Sequence, residues 1–337
     1  MSATLESPPR GGLGRHLLGI DGMSRSDLEE ILDLTDTFAE IGRRPIPKVP
    51  ALRGRTVATA FFENSTRTRM SFETAARRLS ADTVAFSAGS SSLSKGESLR
   101  DTVEVVASYG ADLLVVRHAM AGTAHRVADW TELSVVNAGD GCHEHPTQAL
   151  LDCYTLREQR GSLDGMRIAI VGDVRHSRVA RSNILAFTAL GAEVVLVAPA
   201  TLLPPAIDGW PVTVFHELDP LLKDLHNLYI LRMQQESITE GLIPSLREYA
   251  NDFGLSADRV ARMRSDALVL HPGPTNRGVE ISAEAAADPR SVILDQVVNG
   301  VSVRMAVLFR LLGSGQQLVA ADIEPVGDDA RPEGADR

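Results

Sequence analysis

The sequence predicts an α/β protein made of two doubly wound, parallel-sheet domains. The chain has 337 residues, 44% of them hydrophobic, which is enough for two sizeable cores. Short apolar segments alternate with amphipathic helical patterns along most of its length. Such strands are typical of parallel sheets that helices cover on both faces. Ligand sites are then expected at the carboxyl ends of the strands, and the polar motifs of this chain follow candidate strands.

The first series of elements opens with a helix. Ser24 and Asp27 suit its start, apolar residues follow at helical spacing, and Gly42 and Pro45 end it. Candidate strands come next at 55–61, 83–87, 112–117 and 133–137, separated by helical patterns near 66–80, 98–109 and 123–130. We assign this series to a first domain, residues 1–149.

The second series begins with a helix near 147–159. Its candidate strands lie near 167–171, 193–197, 212–215, 227–231 and 267–270. We assign residues 150–296 to a second domain. A final helical pattern follows at about 297–312.

Composition restricts the class of protein. The net charge of −10 argues against nonspecific binding to nucleic acid or to an anionic membrane. No apolar run approaches the roughly 18 residues of a membrane span. No signal-peptide pattern precedes Leu17, and the two cysteines form no disulfide framework. We therefore expect a soluble, cytoplasmic protein, with a disordered acidic tail at 321–337.

Residues 61–73 are the most informative stretch of the chain. They read Phe-Phe-Glu-Asn-Ser-Thr-Arg-Thr-Arg-Met-Ser-Phe-Glu, where a candidate strand turns into a helix. The first N–H groups of a helix lack internal partners, and the helix dipole favours negative charge there. Hydroxyl groups and an Arg fork at this turn predict a phosphate site, although the glycines and lysine of a P-loop are missing. The alternative is an ordinary cap, in which Ser65 satisfies the helix start.

Two other patterns argue less well for a site. The segment Val171-Gly172-Asp173-Val174-Arg175-His176-Ser177-Arg178 joins a strand to a helix, as a dinucleotide fingerprint does. It lacks the second and third glycines, and its arginines would crowd a pyrophosphate but suit a carboxylate. Paired metal-ligand spacing is missing from Cys142, His143, His145 and Cys153. We therefore predict no metal and no cofactor.

The run at 61–73 also resembles the Ser-Thr-Arg-Thr signature of the transcarbamoylases, which transfer the carbamoyl group of carbamoyl phosphate to an amine. The resemblance continues in family order through Ser92–Glu97, Arg117-His118, His145–Gln148, Arg178, Arg232–Gln234 and His271–Pro274. It implies that the first domain binds carbamoyl phosphate and the second binds the amino acid. It also implies that the last helix, at about 297–315, returns to pack on the first domain.

The resemblance and the residue types together assign a carbamoyl phosphate site. Arg117 would bridge the phosphate and the carbonyl oxygen, His145 would donate a hydrogen bond to that oxygen, and Gln148 would accept one from the NH₂ group. The family implies no covalent intermediate, with the departing phosphate accepting the amine proton. The predicted binding residues are Ser65, Thr66, Arg67, Thr68, Ser92 (or Ser91), Arg117, His145, Gln148, Pro272, Gly273 and Pro274. The predicted catalytic residues are His145, Arg67, Arg117 and Lys95.

The acceptor site is predicted from a second set of donors. Arg178 and Arg232 are planar forks suited to carboxylates, and Gln234 shares a face with Arg232. With Lys95 they match a dicarboxylate such as L-aspartate, and the product would be N-carbamoyl-L-aspartate, a pyrimidine precursor. Ornithine carbamoyltransferases usually carry a cysteine in the 271–274 loop and lack the Arg-x-Gln block. Ornithine, another amino acid, or a non-catalytic scaffold stay open as alternatives.

Lys95 carries an argument of its own. Only three of the 34 cationic residues are lysines, so a position indifferent to cation type would be expected to hold arginine. A compact ammonium group on a flexible stem suits a loop that reaches into a site. In the family this loop enters the neighbouring subunit's site, which implies a homotrimer. Further assembly with regulatory chains or another enzyme of the pathway stays open.

Overall fold

The computed structural model describes residues 14–87, 98–234 and 239–313. Two parallel sheets, one in each half of the chain, form its framework. Among the helices in these ranges, none is long and apolar enough to cross a membrane. The predicted ligands Ser91, Ser92 and Lys95, and the tail at 321–337, lie outside the described residues.

The first sheet has four strands in the order β2-β1-β3-β4. Helix α1 precedes it, and its N-cap Ser24 and Asp27 bond each other's backbone N–H in a capping box, as the sequence predicts. The strands are β1 Thr56–Phe61, β2 Asp82–Ser87, β3 Leu113–His118 and β4 Ser134–Asp140. The helices are α1 Arg25–Gly42, α2 Thr66–Arg78, α3 Leu99–Ser108 and α4 Thr123–Trp130.

The second sheet has five strands in the order β7-β6-β5-β8-β9. Every pairing between its strands is parallel. The strands are β5 Arg167–Val171, β6 Glu193–Val197, β7 Thr213–Phe215, β8 Asn227–Ile230 and β9 Leu268–Leu270. The helices are α6 Arg178–Ala189, α7 Leu246–Phe253, α8 Ala257–Arg262 and α9 Ala283–Ala286.

Two long helices join the halves. Helix α5, Pro146–Arg160, connects the sheets, and α10, Ile293–Leu312, packs against α1, α2 and α5. The predicted return of the last helix to the first domain is therefore confirmed. The largest apolar cluster runs through this junction and includes Phe38, Leu150, Ile168 and Val303. Burial of this cluster stabilises the packing of both sheets against the helices of the junction.

The strand order places a crevice at one edge of each sheet. In the first sheet β1 lies between β2 and β3, so the chain passes from β1 to β2 on one side and then crosses to β3 on the other. In the second sheet β5 lies in the same way between β6 and β8. Ligands of doubly wound sheets bind at such switch points, outside the carboxyl ends of the strands. Residues 63–68 follow β1, and Arg117 is the last residue but one of β3. Arg178 and Arg232 follow β5 and β8. The two switch points therefore carry the two predicted halves of the site.

Candidate active site

A cleft of about 1230 Å³ lies between the carboxyl edges of the two sheets. Every predicted site residue that the structure describes lines it, so residues up to 209 positions apart in sequence come together. These are Ser65, Thr66, Arg67, Thr68, Arg117, His145, Gln148, Arg178, Arg232, Gln234, Pro272, Gly273 and Pro274.

The N-terminus of α2 opens into this cleft. Ser65 is the N-cap residue, but its side chain caps no backbone N–H; its hydroxyl donates to Thr68 Oγ1 at 3.0 Å. Ser177, at the start of α6, shows the ordinary arrangement and accepts from the Ala180 N–H. The cap alternative for Ser65 is therefore wrong, because no first-turn N–H group of α2 donates to its hydroxyl. Together with the helix dipole they leave an anion-binding site.

One carboxylate holds two arginines across the cleft. Glu63 Oε1 accepts from Arg117 Nη2 at 2.6 Å and from Arg178 Nη2 at 2.5 Å. Arg117 also donates to the Ala138 carbonyl at 3.1 Å. Gly139, at φ +115°, lies against both guanidinium groups, and a Cβ atom there would come within 3.1 Å of each. Glu63 thus links the first sheet's arginine to the second sheet's, and Gly139 gives them room.

Positive charge dominates the cleft. Among the described lining residues there are six arginines and two carboxylates, an excess of four positive charges in a chain with a net charge of −10. Burial and the neighbouring Arg178 lower the pKa of Arg117 to about 10. Burial and Arg232 lower the pKa of Arg67. Guanidinium groups crowded in this way are stabilised by bound anions.

His145 is the N-cap residue of α5 and is only 4% exposed. Its backbone N–H donates to Ser182 Oγ at 2.9 Å, and Ser182 donates to Glu144 Oε2 at 2.8 Å. Burial and the charges of Arg117, Arg304 and Arg178 hold the pKa of the imidazole well below its usual value. No described residue hydrogen-bonds its Nδ1. The site therefore contains a neutral imidazole in a fixed position, able to donate one hydrogen bond.

The loop at 271–274 closes the cleft beside Arg67. Gly273 N–H donates to His271 Nδ1 at 2.7 Å, so His271 keeps its proton on Nε2, which faces Glu280 Oε1 at 3.3 Å. Gly273 has φ +64°, and a Cβ atom there would lie 3.1 Å from Arg67 Cζ. Only glycine combines this left-handed backbone with so close an approach.

Several polar residues of the cleft were not among the predicted ligands. Arg304, on α10, donates to Ser71 Oγ at 2.9 Å and to the Gly300 carbonyl at 3.0 Å. Burial lowers its pKa to about 10. Ser71 and Arg277 also line the cleft. Arg304 lies 233 positions from Ser71 in the sequence, so spacing along the chain does not predict their contact.

Metal binding is not indicated by the described side chains. No group of three or more His, Cys, Asp or Glu residues within them is placed to hold a metal ion.

Comparison with protein families covers both halves of the chain. Residues 15–158 match the model of the aspartate/ornithine carbamoyltransferase carbamoyl-P binding domain, and residues 164–311 match the Asp/Orn binding domain of the same family. The chain belongs to the aspartate/ornithine carbamoyltransferase family.

Relatives in this family are similar along most of their length. The aspartate carbamoyltransferase catalytic subunit of Thermobifida fusca is 55% identical over 299 residues, which cover 89% of this chain and 96% of that protein. The corresponding subunit of Acidothermus cellulolyticus is 54% identical over 306 residues, covering 91% and 95%.

A solved structure of the same family is also similar over most of its length, at lower sequence identity. Aspartate transcarbamoylase from Trypanosoma cruzi, in complex with N-(phosphonacetyl)-L-aspartic acid, is 31% identical with a TM-score of 0.79. The match covers 89% of this chain and 96% of that one.

Proposed function

We propose that this chain transfers the carbamoyl group of carbamoyl phosphate to the amine of L-aspartate, giving N-carbamoyl-L-aspartate and phosphate for pyrimidine synthesis. The observation that carries the proposal is the excess of four positive charges in the described part of the cleft. Carbamoyl phosphate as a dianion and aspartate with an uncharged amine bring roughly four negative charges. The names of the similar catalytic subunits agree with this pair of substrates.

Carbamoyl phosphate is assigned to the first sheet's switch point. The uncapped start of α2, with Ser65, Thr66, Arg67 and Thr68, supplies donors for the phosphate. Arg117, held by Glu63, would reach both the phosphate and the carbonyl oxygen. We place Ser92, or its neighbour Ser91, and the loop at 272–274 in the same set.

Aspartate is assigned to the second sheet's switch point. Arg178 and Arg232 are suited to its two carboxylates, with Gln234 beside them and Lys95 arriving from a neighbouring subunit. The two carboxylates in the described cleft already face arginines: Glu63 binds Arg117 and Arg178, and Asp288 binds Arg290 at 2.8 Å. The cationic side chain of ornithine would therefore find no carboxylate there to pair with.

The chemistry needs positioning and electrostatic stabilisation. The carbonyl of carbamoyl phosphate is already activated by its leaving group, so the amine attacks once it is uncharged and held close. His145, neutral and fixed, would donate to the carbonyl oxygen as negative charge develops there, with Arg67, Arg117 and Lys95 stabilising that charge. The departing phosphate would then accept the amine proton.

Several features of organisation belong to the same proposal. We infer a homotrimer with shared sites, open to further assembly with regulatory chains, that acts in the cytoplasm. The carbamoyl phosphate domain would comprise residues 1–149 with the helix at 297–315, and the aspartate domain residues 150–296. The division would fall within α5, which has His145 as its N-cap residue and Gln148 in its first turn.

One assay decides between the candidate functions. The purified chain is incubated with carbamoyl phosphate and either L-aspartate or L-ornithine, and products are measured by mass spectrometry. We expect N-carbamoyl-L-aspartate, and far slower transfer to ornithine. Faster transfer to ornithine would overturn the acceptor assignment. No product with either amino acid, from a folded chain, would favour a non-catalytic scaffold.

A further inference from the structure

Asp152 lies at the centre of a buried polar network below the cleft. It belongs to α5 and has no exposed surface. Its Oδ1 accepts from Gln148 Nε2 at 3.0 Å and from Gln296 Nε2 at 2.6 Å. Its Oδ2 accepts from Asn183 Nδ2 at 2.9 Å and from Tyr229 OH at 2.7 Å. The donors come from α5, α10, α6 and β8, so this one carboxylate joins elements of both halves.

An ionised carboxylate accepts hydrogen bonds and donates none. Burial raises the pKa of Asp152 to about 6, so the group is ionised at neutral pH. Each side-chain amide that contacts Asp152 must therefore point its NH₂ group toward the carboxylate and its carbonyl oxygen away from it. Gln296 shows this orientation independently, because its Oε1 accepts from the His271 backbone N–H at 3.0 Å.

The same constraint acts on Gln148 with a different result. Its NH₂ group points to Asp152, and no donor to its carbonyl oxygen is present among the described residues. Gln148 lines the cleft. We propose that Asp152 is a positioning residue that fixes Gln148 as an acceptor, and so selects a carbamoyl group over an acyl group without NH₂. This inference rests on the proposed use of carbamoyl phosphate.

Asp152 also acts on the loop at 272–274, which is assigned to the carbamoyl phosphate site. Through Gln296 it holds the backbone of His271, the residue that begins the loop at 272–274. Asparagine at 152 would remove the constraint, since its own NH₂ group could donate to Gln148 and reverse the amide. This nearly isosteric change would then weaken recognition of the NH₂ group and leave the phosphate site at the start of α2 in place.

The test compares Asp152→Asn with the wild type, using carbamoyl phosphate and acetyl phosphate, which has a methyl group in place of NH₂. We expect kcat/KM for carbamoyl phosphate to fall roughly tenfold or more, as for a lost buried hydrogen bond. The inhibition constant of acetyl phosphate should change less than about twofold, because its contacts do not include the Gln148 carbonyl. Should this variant fail to fold, Asp152→Ser, which leaves room for water, carries the same two expectations.

Two further variants separate positioning from general damage. Tyr229→Phe removes a donor to Oδ2 and leaves Oδ1 with its two glutamines, so the selectivity for carbamoyl over acetyl phosphate should persist. In a Gln148→Ala background, Asp152→Asn should reduce that selectivity no further. Unchanged selectivity in Asp152→Asn, equal weakening of both phosphates, or an equal effect of Tyr229→Phe would each overturn the inference. A wild type that does not use carbamoyl phosphate would instead overturn the proposed function.

Discussion

His145 shows how burial fixes the chemistry of a single residue. Its lowered pKa keeps the imidazole neutral at and above pH 6.5, so it donates a hydrogen bond and does not act as a cation. We expect His145→Ala to lower kcat by roughly 10²–10³, with a smaller effect on carbamoyl phosphate affinity. His145→Gln, which keeps a neutral donor, should retain more activity. The pH dependence of kcat between pH 6 and 9 should be the same near pH 6.5 in the wild type and in His145→Gln. A change in kcat near pH 6.5 that is present in the wild type and lost in His145→Gln would mean that the charged imidazole takes part in catalysis.

Arg232 provides the matching test on the amino-acid side. It lines the cleft, and its Nε has no hydrogen-bond partner within the described chain. We expect Arg232→Ala to raise the KM for aspartate by roughly tenfold or more, because a charge-assisted contact is lost, while the KM for carbamoyl phosphate changes little. Arg247→Ala, an exposed arginine on α7 away from the cleft, is the control. Equal effects on both substrates would place Arg232 outside the aspartate site.

At the scale of elements, two helices begin with serine for different reasons. Ser24 caps α1 in a capping box, whereas Ser65 makes no capping bond to α2. Ser24→Ala should therefore reduce the free energy of unfolding by about 1 kcal/mol and leave catalysis unchanged. Ser65→Ala should change stability little and weaken inhibition by inorganic phosphate. Urea unfolding measures the stability of each variant, and inhibition by inorganic phosphate measures its phosphate affinity. A loss of stability in Ser65→Ala with unchanged phosphate inhibition would mean that the start of α2 does not bind phosphate.

The order of strands and helices could be predicted from the sequence, because the period of the hydrophobic pattern and the length of each apolar segment distinguish the two. Strand β4 was predicted to end at 137 but continues to Asp140, since Ala138, Gly139 and Asp140 are buried without forming an apolar pattern. The arginine cluster around Glu63 and the network around Asp152 depend on contacts between distant segments. Such contacts leave no periodic signal, so spacing alone indicated neither Arg304 in the cleft nor the central role of Asp152.

At the scale of the whole molecule, the proposed site needs two copies of the chain. Arg67 lines the cleft of its own chain, and Lys95 is proposed to come from the next. Lys95→Ala and Arg67→Ala should each be nearly inactive. Mixing them under subunit exchange should restore up to about a third of the activity per trimer, from the one site with both residues intact. No recovery, with hybrids confirmed by native mass spectrometry, would contradict a shared site.

The central claim is that one cationic cleft binds the phosphate and both carboxylates at once. N-(phosphonacetyl)-L-aspartate carries these groups in a single molecule, so its binding by calorimetry tests the claim most directly. We predict one molecule per chain, with affinity reduced roughly tenfold or more in Arg67→Ala and in Arg232→Ala and unchanged in Arg247→Ala. Absence of binding to the folded wild type, or equal binding by all the variants, would contradict it.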